Sequence, residues 1–496
     1  MRLPSVPLPV AIRAARSASR LSQRLGRGGG TTIGGLMLGQ LRPEATAEMS
    51  AELRQGVLLV SGTNGKTTTA RLIRAALDAS GYKVAANTAG SNLERGVATA
   101  LLGAHSADMA LFEVDEAALS DVSAKTVPRV VVLLNLFRDQ LDRFGELDKL
   151  LEQWHQTMLR LPESTTVVYN ADDPALAYIV ANSDADHIRK VAFGVDDSRL
   201  NRKKLPHAAD SAWCRFCGRL RPTSSNNTST EPKECSGDNK DHARQTGGYV
   251  PLQYDTVTIG HLGRWSCPRC GVQRPFLDVA ATKIELHGLS GQRISVTTPQ
   301  GPREVSLRLP GLHNAYNALA AVACAHAIEL DPEVVGPALA KRQAAFGRAE
   351  RISIGQMHIT TLLAKNPAGA NENIHTMLAT KQQLHLLLLL NDRTADGRDV
   401  SWIWDVDYEL LLKDNRLGSL TVGGDRAYDM ALRFYYGGFG LNHINVVPDI
   451  ATALDSGLAA AGPNGDLFVL PTYTALLEFQ DILTTRGLVP AFWEDS

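Results

Sequence analysis

Apolar residues fall along this chain in two rhythms. Short unbroken runs, such as GVLLV (56–60), MALFEV (109–114), VVVLL (130–134) and LHLLLLL (384–390), read as strands buried on both faces. After the first run the apolar positions step by three and four. Leu72, Ile73, Ala76 and Leu77 fall on one stripe of a helix. Strands alternating with helices predict a doubly wound, mostly parallel α/β sheet. At 496 residues the chain exceeds what a single core accommodates, so two or three domains are expected.

The turn joining the first strand to its helix carries the clearest chemistry. In GTNGKTT (62–68), Gly62 and Gly65 let the backbone N–H groups of Thr63, Asn64 and their neighbours close on phosphate oxygens. Lys66 supplies charge, the Thr67 hydroxyl is a ligand for Mg²⁺, and Thr68 opens the helix whose N-terminus favours anions. The loop departs from the general GxxxxGK[ST] pattern, because Val60 stands where the first glycine would be. A second handle on Mg²⁺ is expected at a neighbouring strand end. Glu113 is the choice there, with Asp115 and Glu116 as rivals.

Composition changes this picture little. With 44% apolar and 21% charged residues and a net charge of −1, the chain is globular and lacks the basic excess of a nucleic-acid binder. No run of 18 apolar residues offers a membrane span. The N-terminus is the exception. Arginines 2, 13, 16, 20, 24 and 27 occur there without an acid, most of them at helical spacing. They read either as the solvated face of a helix packed on the body, or as a helix lying near an anionic membrane or lipid-linked substrate.

Two CxxCG units, CRFCG (214–218) and CPRCG (267–271), bring four thiols together. Cys214, Cys217, Cys267 and Cys270 match a closed, structural four-cysteine zinc site at the base of a small ribbon. The polar stretch between them, with Cys235 inside it, reads as disordered. Cys324 lies in an apolar helix and reads as a buried, inert thiol, so no nucleophilic cysteine is apparent.

Together these residues resemble the Mur ligase family, enzymes that activate a carboxylate with ATP and join it to an amine. The likeness rests on GTNGKTT, Glu113, NADD (170–173), LHNAYNALAA (312–321) and GRAE (347–350). It implies that Asn314 and Asn317 hold the adenine and that Arg348 reaches the phosphates. It also implies a third, Rossmann-like domain, which LHLLLLL, LTVGG (420–424), INVV (444–447) and LFVL (467–470) would build. The expected organisation is a basic helical segment over 1–50, a central ATP-binding domain over 51–345 with the zinc ribbon at about 206–275, and a C-terminal domain over 346–496.

Two departures narrow the likeness. Only 61 residues precede Gly62, too few for the sugar-nucleotide domain of ligases acting on soluble precursors, and the ribbon is an addition. With LAKNPAG (363–369) and DGRDVSWIWDVD (396–407), these features look like the MurT-type branch of the family. That branch implies amidation of the D-Glu α-carboxylate of lipid II to D-isoglutamine through an acyl phosphate, with Lys66, Mg²⁺ and Arg348 stabilising charge. Ammonia would come from a separate GatD-type glutaminase subunit, whose Cys–His pair takes its acid, here Asp399, from this chain. Asp396 and Arg398 would shape that loop and Trp402 and Trp404 would anchor the contact. The local alternative is an Asp-rich turn capping the next helix, for which Asp405 is the candidate. ATP use and the lack of an export signal imply a cytoplasmic location, at the inner face of the membrane. The rivals are a stand-alone amino-acid ligase of the folylpolyglutamate or cyanophycin type, and a non-catalytic scaffold for the glutaminase.

Overall fold

In the computed structural model, residues 6–24, 32–87, 91–104, 106–138, 146–181, 185–207, 209–217, 250–342 and 348–489 are described. The first apolar runs become β1 (Val57–Ser61), β2 (Val84–Ala86), β3 (Met109–Glu113), β4 (Val130–Leu133), β5 (Thr166–Asn170) and β6 (Arg189–Val195). A separate antiparallel hairpin, β7 (Gln253–Val257) and β8 (Gly263–Ser266), belongs to the cysteine-bearing insert. The chain then returns through β9 (Val279–Leu286), β10 (Gln292–Thr298) and β11 (Gly301–Leu307).

Among the described residues the central sheet has the order β11-β10-β9-β6-β5-β4-β1-β3-β2. It is parallel from β2 to β9 and antiparallel only at the β9–β10–β11 edge. The residue pattern explains the difference. β1, β4 and β5 are buried at every position, as strands with helices on both faces must be. Along β10 buried and more exposed positions alternate, as in a sheet with one wet face. Leu58 and Val60 face a core layer shared with helix Leu312–Ala327, while Val57 and Leu59 face a layer shared with Trp154 and Leu176.

Among the described residues three helices, Leu8–Arg24, Ile33–Leu41 and Ala45–Ala51, stand before β1. They pack on the second layer beside helix Glu94–Leu102: Ala11 and Ala15 are buried, and the Arg16 guanidinium donates to the Leu102 carbonyl at 2.9 and 2.7 Å.

The C-terminal sheet comprises β12 (Arg348–Ile354), β13 (Met357–Leu362), β14 (Leu384–Leu389), β15 (Leu417–Gly423), β16 (Ile444–Val446) and β17 (Asp466–Pro471). Its order is β12-β13-β17-β14-β15-β16, parallel except for the β12–β13 hairpin. The four apolar runs account for β14 to β17. The hairpin was not anticipated, although Gly355–Gln356 between Ile354 and Met357 is a two-residue turn signal. Among the described residues no helix is long and apolar enough to cross a membrane.

Candidate active site

In the sheet order β1 has β3 on one side and β4 on the other, so the loops after β1 and β4 leave at a switch point, where open α/β sheets form a crevice. The phosphate loop follows β1 there. Gly65 has φ +91°, a left-handed conformation, and a Cβ on it would come within 2.1 Å of Asn317 Oδ1. Glycine is therefore needed both for the turn and for the approach of helix Leu312–Ala327. Helix Lys66–Ala79 then points its N-terminus into the crevice.

Lys66 is buried. Its Nζ donates to the Gly62 carbonyl at 2.7 Å and pairs with Glu116 at 2.8 Å. The Thr67 hydroxyl donates to Glu113 Oε1 at 3.0 Å. Asn87 brackets Glu113 from both sides, accepting from its N–H at 3.0 Å and donating to its carbonyl at 2.8 Å. Of the three acids considered for the metal handle, Glu113 thus meets Thr67 and Glu116 meets Lys66. Asp115 instead caps the short turn that follows, accepting from the Ala117 N–H.

Asn135, after β4, holds the loop reciprocally: its Oδ1 accepts from the Asn64 N–H at 2.9 Å and its Nδ2 donates to the Asn64 carbonyl at 3.0 Å. Thr63 and Phe137 form a second reciprocal pair, at 3.0 and 3.1 Å. Asn317 accepts from the Thr69 hydroxyl at 3.3 Å and donates to Asn314, which donates to the Pro310 carbonyl. Both asparagines therefore stand at one wall of the loop. From the C-terminal sheet domain, Asn366 donates to Asn64 Oδ1 at 3.1 Å. The backbone of Arg348 opens β12, but its side chain lies outside the described residues.

Sequence reading missed Asn87 and the reach of Asn366. Asn87 follows a strand of only three residues, too short to recognise. Asn366 had a signal, an Asn-Pro step at a helix start, and its Oδ1 does accept from the Gly369 N–H.

The four cysteines converge. Cys214 and Cys270 Sγ are 3.7 Å apart, as are Cys217 and Cys267, and all four sulfurs lie within 4.8 Å of one another. A tetrahedron with Zn–S bonds of about 2.3 Å has an edge of about 3.8 Å, so the spacing fits Zn²⁺. It is far too long for disulfides, and these cysteines are free. Burial pushes the Cys214 thiol up to about 12, so a bound cation is what would ionise it. Cys235 lies outside the described residues. Cys324 is fully buried and pushed up to about 12 by that burial, as an inert thiol should be.

The loop after β14 answers what its carboxylates do. Asp396 accepts from the Thr474 N–H at 2.7 Å and ties the loop to helix Tyr473–Thr485. Asp407 pairs with His207 at 2.8 Å and Asp405 lies 3.7 Å from Arg138, both across to the central domain. Asp405 is therefore no cap: Tyr408 precedes the short helix Glu409–Leu412. Asp399 is partly exposed, with one oxygen accepting from the Ser401 N–H at 2.8 Å. Arg398 is exposed. The two tryptophans separate. Trp402 is 3% exposed and packs with Val400, Ile403 and Val406 in the core of the C-terminal domain, which corrects its expected place at a contact surface. Trp404 is 46% exposed and lies 5.9 Å from the Tyr436 ring in a tilted contact, with Tyr435 beside Tyr436.

Comparison with known proteins agrees with this architecture. The Mur ligase middle-domain family matches residues 60–217 and the MurT ligase C-terminal family matches residues 363–476. The MurT subunit of lipid II isoglutaminyl synthase (glutamine-hydrolysing) from Streptococcus pneumoniae is 30% identical over 483 residues, covering 96% of this chain and 97% of that one. The subunit of the same name from Staphylococcus aureus is 27% identical over 85% of this chain and 86% of its own. Among solved structures, a pseudomurein peptide ligase type C from Methanothermus fervidus superposes with a TM-score of 0.65 at 19% identity, over 90% of this chain and 81% of that one. That last likeness speaks for the fold alone.

Proposed function

The chain belongs to the MurT family of Mur ligases, and on that premise we propose that it is the ATP-dependent ligase subunit of a glutamine-hydrolysing lipid II isoglutaminyl synthase. The reaction is amidation of the D-Glu α-carboxylate of lipid II. A carboxylate oxygen attacks the γ-phosphorus of ATP and ADP leaves. Ammonia then attacks the acyl carbon, inorganic phosphate leaves, and a proton is lost from nitrogen to give D-isoglutamine.

The observation that carries this reading is the pairing of Lys66 and Thr67 with Glu116 and Glu113 at the ends of β1 and β3. Lys66 takes the phosphate charge, with Gly62 to Thr68 cradling the oxygens through backbone N–H groups. Thr67 and Glu113 would hold Mg²⁺, which would supply positive charge against the phosphates. Asn314 and Asn317 form the adenine side, and Arg348 adds a positive charge from the C-terminal domain. Cys214, Cys217, Cys267 and Cys270 would hold Zn²⁺ in a structural site, since four thiolates would leave no position for substrate.

Ammonia comes from a GatD-type glutaminase partner. Among the described residues, the cysteines are the four clustered ones and buried Cys324, none suited to attack glutamine. Asp399 orients the partner's histidine, and the exposed ring of Trp404 lies on the docking side. The chain works in the cytoplasm at the inner face of the membrane, with the arginine-bearing helix Leu8–Arg24 toward the lipid surface.

The test is amidation of lipid II with ATP and the glutaminase partner, using glutamine or ammonium chloride, for wild type and Asp399→Asn. The variant should lose glutamine-dependent activity and keep ammonia-dependent activity. Loss of both in the variant removes Asp399 from the partner's triad. Failure of wild type with both nitrogen sources discards lipid II amidation and brings forward an amino-acid ligase.

A further inference from the structure

The cysteine-bearing insert reaches the crevice by two independent lines of contact. The first begins at Arg274, four residues beyond Cys270. Its Nη1 donates to Asp172 Oδ1 at 3.0 Å and to the Val195 carbonyl at 2.8 Å, and its Nη2 pairs with Asp196 at 2.9 Å. Asp172 is fully buried, and its Oδ2 accepts from the Val195 N–H at 2.8 Å and the Tyr316 hydroxyl at 2.6 Å. Tyr316 also meets the Thr258 hydroxyl, just after β7, at 2.6 Å. It precedes Asn317, whose amide sits against Gly65 and Thr69.

The second line runs through the turn of the β7–β8 hairpin. The His261 ring packs on Phe137 at 4.6 Å, and its Nε2 lies 3.3 Å from Asp173 Oδ1, with both residues fully buried. Gly260 has φ +57°, and a Cβ there would come within 2.6 Å of the Phe137 ring, so only glycine lets the turn come this close. Phe137 is the reciprocal partner of Thr63 in the phosphate loop. Asp173 also accepts from the Leu136 N–H at 2.8 Å, fixing the same segment.

A module that only added stability would not need to end at both walls of one crevice. We propose that the zinc ribbon is a positioning element for the nucleotide. Arg274, acting through Asp172 and Tyr316, sets the helix start that bears Asn314 and Asn317. His261, acting through Phe137, sets Thr63 and the phosphate loop. Metal loading and nucleotide affinity are thereby linked, and the linkage is reciprocal. The inference rests on the reading of this crevice as an ATP site.

The experiment uses the full chain with its glutaminase partner and measures Mg–ATP binding by calorimetry, zinc content by metal analysis, and KM and kcat for ATP. Tyr316→Phe and Arg274→Met each remove a hydrogen bond from buried Asp172 and should weaken Mg–ATP binding about tenfold, with zinc retained and kcat at saturating ATP within about twofold. Arg274→Lys should recover part of that loss, and Phe276→Ser, a change at a residue 94% exposed on the same segment, should bind ATP as wild type does. In the wild-type protein, Mg–ATP should slow zinc release to a chromophoric chelator, a reading that needs no variant. The proposal is overturned if both variants melt earlier yet bind Mg–ATP as wild type does, or if saturating Mg–ATP leaves zinc release unchanged. Wild type that does not bind Mg–ATP at all would instead sink the nucleotide reading itself.

Discussion

Lys66 and Asp399 show how differently two charged side chains are held. The Lys66 ammonium is enclosed by the Gly62 carbonyl and Glu116, so in the proposed ATP site a phosphate would compete with a carboxylate already in place. Replacing it with Met should lower kcat at least about a hundredfold with either nitrogen source, the usual loss when a charge-stabilising donor is removed. Steady-state amidation with glutamine and with ammonium chloride reads this, and a defect confined to glutamine would contradict it. The turn that puts Lys66 at a helix start and the convergence of the four cysteines were legible from spacing, because a glycine turn and a CxxC pair are local geometries. Asn87 and the inward turn of Trp402 were not. Which side of a loop faces the core depends on strands far away in sequence.

At the scale of elements, helix Leu8–Arg24 sorts its residues by face. Ala11, Ala15 and Arg16 face the body, whereas Val10, Arg13, Arg20 and Leu21 are exposed along the other side. Small buried residues let the helix lie close to its neighbours, and the outer face combines cationic and apolar groups suited to an anionic bilayer surface. Arg13→Glu combined with Arg20→Glu should reduce co-sedimentation with phosphatidylglycerol vesicles about tenfold or more at low salt, at about 1 kcal/mol per basic residue near such a surface. Wild type that stays in the supernatant would remove the membrane from the picture. The strands teach a related lesson. Parallel β1, β4 and β14 were readable as apolar runs, while β12 and β13, an antiparallel hairpin at a sheet edge with polar residues among the apolar ones, were not.

Across the whole molecule, the central and C-terminal domains meet through ion pairs and an amide hydrogen bond as well as apolar packing, with Ala368 in the central core cluster. Arg202 grips Glu372 with both Nη atoms, one bond measuring 3.0 Å, and His207–Asp407, Arg138–Asp405 and Asn366–Asn64 join the same two bodies. Burial works to raise the Glu372 carboxyl, but the Arg202 charge and its hydrogen bonds outweigh it and hold the group below its ordinary 4.5. A carboxyl depressed on folding contributes stability that is complete above its unfolded value and is lost as pH falls through its folded value. Glu372→Gln should therefore melt well below wild type at neutral pH, because it leaves the Arg202 charge poorly compensated. The gap between the two should narrow as pH falls below 4.5. Thermal melts across the acid range read both points, and a constant gap would show that the ionised pair is not what stabilises this contact.

The amino-acid sequence by itself determined the local chemistry of this protein. The phosphate loop, the two cysteine knuckles, the helix stripes and the buried parallel strands each follow from residues close together in the chain, where spacing alone fixes geometry. Only the tertiary structure decided which carboxylate meets Thr67 and which meets Lys66, since β1 and β3 become neighbours only in the sheet. It also decided that Asp405 and Asp407 face the central domain while Asp399 is left partly exposed, and that the ribbon touches both walls of the crevice. Those contacts join residues up to hundreds of positions apart. Their partners are chosen by sheet order and packing, which no short stretch of sequence encodes.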